Sequence, residues 1–264
     1  MPPTPNPQTL HQALTTTHPL NWGALPTTTE LTHRHGAKAT RASLKLLEQA
    51  AAAEPTVTSQ FLESLPSGTI PYQLDHRVKS PDSLARKVAD WEATKNPLPI
   101  DDVLRYTVLT ESPDDLVAAA RRTADSLSGH GWQVYYAMHS YTEGSRYKGI
   151  HANLVVPGSP GVEVQIHSVA SANVKELTTS WYAIERSATA SADERTEARQ
   201  QCIEASATLD VPRGIAGLTH LGGRRVAVNN YSDSRRAAEE HAKSQVPGRS
   251  SRPTNLDRNG GITR

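Results

Sequence analysis

Polar and apolar residues alternate with period two in neighbouring runs of the chain, which places two strands there. In residues 150–156, His151, Asn153 and Val155 fall on one face. In residues 162–167 the apolar Val162, Val164 and Ile166 alternate with Glu163, Gln165 and His167. The intervening Pro157-Gly158-Ser159-Pro160-Gly161 is strong turn chemistry, so the two runs are expected to form a hairpin. One face of that hairpin is apolar. The other gathers His, Asn, Glu and Gln, the residue types that bind metals, phosphates and bases; an ordinary solvated face is the plain alternative.

Upstream, helical and strand patterns take turns. Residues 37–54 read as a helix and 56–65 as a second one. At Ser80-Pro81-Asp82 an N-cap, a first-turn proline and an acidic residue open a helix to about Thr94. Leu84, Val88 and Trp91 recur at i, i+4 and i+7 as its core stripe, with Ser83 and Lys87 on a neighbouring stripe. Residues 102–110 read as a buried strand. Ser112-Pro113-Asp114-Asp115 repeats the cap chemistry and opens a helix to about Ser128. Residues 132–139 are a strand with strict alternation, and helices follow over 169–189 and 192–208. The expected fold class is α+β, a mixed or mainly antiparallel β-sheet flanked by helices.

Composition sets the borders. Residues 1–36 are dense in Thr and Pro and are expected to be loosely ordered, leaving 37–218 as one organised domain. From Gly222 onward there are nine Lys/Arg against four Asp/Glu, although the whole chain of 264 residues carries only +1. Residues 219–264 therefore read as a basic, disordered tail, able to grip RNA through phosphates or simply solvated. The mean hydropathy of −0.54 agrees with loose ends. One cysteine, Cys202, excludes an internal disulfide. No run approaches the roughly 20 apolar residues of a membrane span, and no secretory signal is visible. The expected location is cytoplasmic, though a mature secreted form would look the same.

Three polar clusters call for a chemical explanation. Arg77, Lys79, Ser83 and Lys87, with Arg86 nearby, crowd cations around a helix N-terminus, which suits a polyphosphate; taken alone the run also fits a solvated face. Asp101-Asp102 opens an apolar strand facing a sheet that carries Glu163. Such carboxylates suit a hard cation such as Mg²⁺ together with substrate phosphates, and equally suit a turn or cap. Tyr147, between Arg146 and Lys148, can stack a base with its ring and without its hydroxyl, or can be a half-buried structural residue.

In order along the chain, HRVKSPDSLARK, IDDVLRYTV, YKGIHANL and GVEVQIHS resemble the synthetase domain of the RelA/SpoT homologues. The resemblance covers roughly residues 75–185 and extends weakly to 212. The length before Asp75 leaves no room for the hydrolase domain of the long members, so the chain is similar to the small single-domain alarmone synthetases, toxic ones included. The resemblance implies a polymerase-β-like nucleotidyltransferase core that moves pyrophosphate from ATP to a nucleotide 3′-hydroxyl. It would assign Arg77, Lys79, Ser83, Lys87 and Arg105 to the ATP phosphates. Asp102 and Glu163 would be the catalytic carboxylates and Mg²⁺ ligands, Glu163 also serving as the base. Tyr147, Lys148, His151, Asn153, Gln165 and His167 would serve the acceptor.

Two departures bear on the acceptor. The family often has Arg-Thr where this chain has His167-Ser168, and many members have an arginine at the position of Thr107, whose nearest equivalent here is Arg105. Three functions are consistent with this: synthesis of (p)ppGpp or (p)ppApp from purine nucleotides, pyrophosphorylation of the tRNA 3′-CCA end, or non-catalytic binding of nucleotide or RNA. For the toxic type, an antitoxin joins the expected partners.

Overall fold

The computed structural model describes residues 5–94, 100–187 and 189–231. Seven strands form one mixed sheet in the order β1-β2-β5-β4-β3-β7-β6. They are β1 (Thr69–Tyr72), β2 (Leu104–Thr110), β3 (Gln133–His139), β4 (Ile150–Val155), β5 (Val162–Ser168), β6 (His220–Leu221) and β7 (Arg224–Val228). β2 runs parallel to β5, and β7 parallel to β3; the other neighbours are antiparallel. The helices are α1 (Pro7–Leu14), α2 (Thr28–His35), α3 (Ala37–Glu63), α4 (Pro81–Ala93), α5 (Leu116–Gly129), α6 (Val169–Leu177), α7 (Thr179–Glu185) and α8 (Ala192–Ala207). The α+β class with a mixed sheet flanked by helices is as expected. Among the described residues no helix is long and apolar enough to cross a membrane.

The hairpin forms in the expected register. His151 lies opposite Gln165, and Asn153 opposite Glu163, so all four side chains share one face. The turn brings its last residue hard against the approach to β2, the neighbour of β5. A Cβ on Gly161 would lie 2.3 Å from the Asp101 Cα, so only glycine fits there.

The structure departs from the sequence pattern in several places, each with a packing reason. Residues 37–63 form one helix through Pro55, because the buried stripe Leu44, Leu47, Ala50, Glu54, Val57 and Phe61 keeps helical spacing across the proline. Trp91, expected in the core stripe of α4, is 41% exposed, while Leu84 and Val88 are buried. The helix after Ser112 starts with a 3₁₀ turn, Pro113–Asp115. The register of β3 slips between Val134 and Tyr136, which breaks the strict alternation. The expected helix over 169–189 divides into α6 and α7.

The largest differences lie at the ends. Residues 1–36 were expected to be loosely ordered, yet α1 and α2 pack on the core through Leu10, Leu14, Leu20, Trp22 and Leu31. Thr27 and Glu30 form a capping box at the start of α2, and Arg34 and His35 at its end both reach Asp82 at 3.0 Å in the first turn of α4. At the other end β7 completes the sheet beside β3, inside the stretch expected to be a tail. Residues 232–264 of that tail lie outside the described residues.

Candidate active site

The polar face of the hairpin is covered by α6 and α7 and meets α4 at the N-terminal end of β2. Between them lies a cavity of about 490 Å³. Its wall includes Lys79, Ser83 and Lys87 from the α4 side, Asp102 and Arg105 from β2 and its approach, and Tyr147, His151, Glu163 and Gln165 from the hairpin. Nine residues singled out by the sequence pattern thus converge. Seven lining residues are Lys or Arg and two are Asp or Glu, so the cavity favours a polyanion. Among the described residues no cluster of three or more His, Cys, Asp and Glu is assembled.

Arg105 sits at the centre. Its Nε donates to Glu163 at 2.8 Å and its Nη2 to Asp102 at 3.1 Å, so one guanidinium spans both carboxylates. Asp102 also meets Lys79 at 2.8 Å and Lys87 at 2.7 Å. Burial raises the Asp102 carboxyl's pKa, but Lys79, Lys87 and Arg105 outweigh it and hold the group below its ordinary value. Burial likewise opposes ionisation of Glu163, and Arg105, His151 and Gln165 overcome it, leaving Glu163 well below the usual range. Two ionised carboxylates converging on one cation are a donor set that suits Mg²⁺ alongside phosphate oxygens. In this structure a guanidinium supplies that positive charge.

Glu163 is also the first member of a hydrogen-bonded chain. His151 Nδ1 lies 2.8 Å from its carboxylate, and His151 Nε2 lies 3.1 Å from the Tyr147 hydroxyl. That hydroxyl lies 2.6 Å from His167 Nε2, and His167 Nδ1 is 2.9 Å from Ser171 Oγ. Ser171 Oγ donates to the Ser168 carbonyl, so His167 Nδ1 is the donor to Ser171 and His167 Nε2 the acceptor from Tyr147. The Tyr147 oxygen is then free to accept from His151 Nε2. Burial, with Lys175 nearby, holds the His167 imidazole well below its ordinary pKa, in keeping with a neutral ring. The glycine of YKGIH has a packing cause: a Cβ on Gly149 would meet His167 Cε1 at 2.9 Å.

Four expected site residues lie elsewhere. Arg77 is fully buried and pairs with Glu54 of α3. Its guanidinium also donates to the carbonyls of Leu14, His18, Pro19 and Leu74, so it fastens the N-terminal segment and is closed to ATP. Lys148 lines a separate, smaller cavity. Asn153 is buried on the hairpin face but is not part of the active-site cavity's lining. His167 sits behind Tyr147 and orients it without lining the cavity. The Tyr147 hydroxyl, expected to be dispensable, is engaged by both histidines.

The cavity also contains residues the sequence pattern did not single out. Lys175, Thr178, Thr179, Tyr182 and Arg186 line it from α6, α7 and the turn after them. They recur three to four positions apart, a polar helical stripe that was present in the sequence. Lys175 donates to Gln165 at 3.2 Å, and burial together with Arg105 pushes its pKa down to about 8. The Arg146 guanidinium lies over the Tyr182 ring at 5.3 Å and the Tyr231 ring at 5.9 Å, and Arg186 also covers Tyr182 at 5.3 Å. A second cavity of about 630 Å³ adjoins the first, sharing Lys79, Ser83, Asp102, Arg105, Lys175 and Thr179. Its far wall comes from Asn21, Trp22 and Gly23 of the N-terminal segment.

No protein-family description matches the chain, and no curated protein does either. Solved structures that resemble it include small alarmone synthetase 1 from Bacillus subtilis, at 15% identity and a TM-score of 0.40 over 61% of this chain and 88% of that one. Small alarmone synthetase 2 from the same organism matches at 15% identity and 0.41, over 62% of this chain and 91% of that one. A GTP pyrophosphokinase family protein from Streptococcus pneumoniae matches at 14% identity and 0.36, over 72% and 91%. Likenesses of this size carry no weight for function.

Proposed function

We propose that the chain is an ATP-dependent pyrophosphotransferase that moves the β,γ-pyrophosphate of ATP to the 3′-hydroxyl of a purine nucleotide, releasing AMP. The observation that carries this is the pair of adjoining cavities sharing one strongly cationic ridge around two ionised carboxylates. A transfer between two nucleotides needs a pocket for each and one place where both phosphate chains meet. Phosphoryl-type transfer depends on alignment and charge neutralisation more than on covalent catalysis. The order of the four motifs supports the same reading.

In this scheme Lys79, Lys87 and Ser83 hold the donor phosphates at the start of α4. Tyr147, fixed by His151 and His167, presents its ring to the acceptor base, and Gln165 positions the acceptor sugar and phosphates. Glu163, ionised and on the cavity wall, takes the proton of the attacking hydroxyl. The new bond joins the 3′-oxygen to the β-phosphorus, and the bond from that phosphorus to the oxygen shared with the α-phosphate breaks, so AMP leaves with that oxygen. Asp102 and Glu163 are the residues that would hold Mg²⁺, which when bound neutralises charge on the phosphate oxygens. Arg105 holds the same two carboxylates together.

The test is incubation with ATP labelled on the γ-phosphate, Mg²⁺ and, separately, GDP, GTP, AMP, ATP or bulk tRNA, followed by chromatography. Label in a nucleotide supports the proposal. Label in tRNA would move the same chemistry to the 3′-CCA end, an acceptor that the basic stretch after Gly222 favours. Glu163→Gln should lose turnover by orders of magnitude; near-normal activity in a folded variant would discard the site.

A further inference from the structure

Lys148 follows Tyr147 directly, yet it lines a different cavity, of about 320 Å³, between the β3–β4 connection and the end of α8. It is only 9% exposed, and its ammonium makes no hydrogen bond or ion pair among the described residues. Glu143 lines the same cavity but forms no ion pair with it. Facing Lys148 are Ile203, Ala207, Leu209 and Val211, an apolar wall. Most of this side chain is buried and its ammonium has no counter-ion, an arrangement that costs free energy, and burial lowers its pKa.

One unpartnered cation beside an apolar wall recognises an apolar body that carries one negative group. The volume lies at the small end of ligand pockets, which run from roughly 300 to 1,000 Å³. The Glu143 carboxylate is exposed and would repel a multiply charged guest such as a nucleotide. We propose that this cavity is a second binding site, for a small organic carboxylate with an apolar tail, with Lys148 as its counter-ion. The site is linked to the candidate active-site cavity through the backbone. Ser145, on its wall, donates to the Tyr147 carbonyl at 2.6 Å, and Tyr147 lines the active-site cavity. This assignment does not depend on the pyrophosphotransferase reading.

Hexanoate and hexylammonium are the probes, titrated by calorimetry into the full chain. Hexanoate should bind at one site and raise the melting temperature, and hexylammonium should not bind. Lys148→Met should weaken hexanoate by roughly tenfold or more, the loss of one charge-assisted hydrogen bond, with a melting temperature at or above wild type because an uncompensated charge is gone. Ala207→Trp, which fills the cavity and keeps the cation, should also remove binding, whereas Lys87→Met should not. Hexanoate affinity unchanged in Lys148→Met, lost equally in Lys87→Met, matched by hexylammonium, or absent in wild type would each overturn the proposal. So would hexanoate binding that appears only in Glu143→Gln, together with a fall in that variant's melting temperature, which would make Glu143 the counter-ion.

Discussion

Arg77→Met should unfasten the N-terminal segment without touching nucleotide binding. The guanidinium is 0% exposed and its Glu54 partner 1% exposed, so neither group has water to fall back on. Removing Arg77 leaves Glu54 with only the Thr58 hydroxyl. Breaking a buried pair from one side costs about 3–5 kcal/mol. At about 2–4 °C per kcal/mol for a chain of this size, that is a fall in melting temperature of roughly 6–20 °C. Three of the four carbonyls it serves are those of Leu14, the last residue of α1, and of His18 and Pro19 in the segment between α1 and α2. Limited proteolysis should therefore cut there first. Arg77→Met with Glu54→Leu should recover much of the loss, because no charge is then left buried. The assay is thermal unfolding with timed chymotrypsin digestion, which can cut at Leu20 and Trp22, beside the KM for ATP measured where the variant remains folded. A wild-type melting temperature together with a raised KM for ATP would refute the structural role and return Arg77 to the phosphates.

Tyr147→Phe removes the donor to His167 Nε2 in a buried setting, so stability should fall by about 1–3 kcal/mol, read by thermal unfolding; no change would mean the hydroxyl is not bonded there. Lys175 provides a pH test. Its folded pKa of about 8 lies below its ordinary value of 10.5, so between these the unfolded chain binds more protons and this group's contribution makes stability rise with pH. Over the same window Lys175 loses its charge, so the KM for nucleotide should climb above about pH 8, and Lys175→Met should abolish that limb; a limb that persists in the variant belongs to another group. Lys79→Ala and Lys87→Ala should each raise the KM for ATP more than that for the acceptor, and the reverse pattern in steady-state kinetics would exchange the two cavities.

The sequence by itself determined what depends on local period and turn chemistry. The hairpin at 150–168, its polar face, the caps at Ser80 and Ser112, and the mixed sheet with covering helices were all legible, because strand alternation and capping act between residues a few positions apart. Six of the cavity's residues, Ser83, Lys87, Arg105, His151, Glu163 and Gln165, stand at strand and helix positions, while Lys79, Asp102 and Tyr147 lie just before such elements and were legible through their motifs. Only the tertiary structure decided which polar residues face a cavity and which are consumed inside the core. Arg77 and Lys79 are two positions apart and chemically alike, yet one is buried against Glu54, 23 residues earlier, and the other faces Asp102. Tyr147 and Lys148 are adjacent and line different cavities. Thr- and Pro-rich composition suggested a loose N-terminus, but Leu14, Trp22 and Leu31 join the core beside α3 and α4, in contacts that no local window contains. β7 is a strand because β3 offers it an open edge. Such contacts join residues far apart in the chain, and their free energy comes from burial that exists only once the sheet has formed.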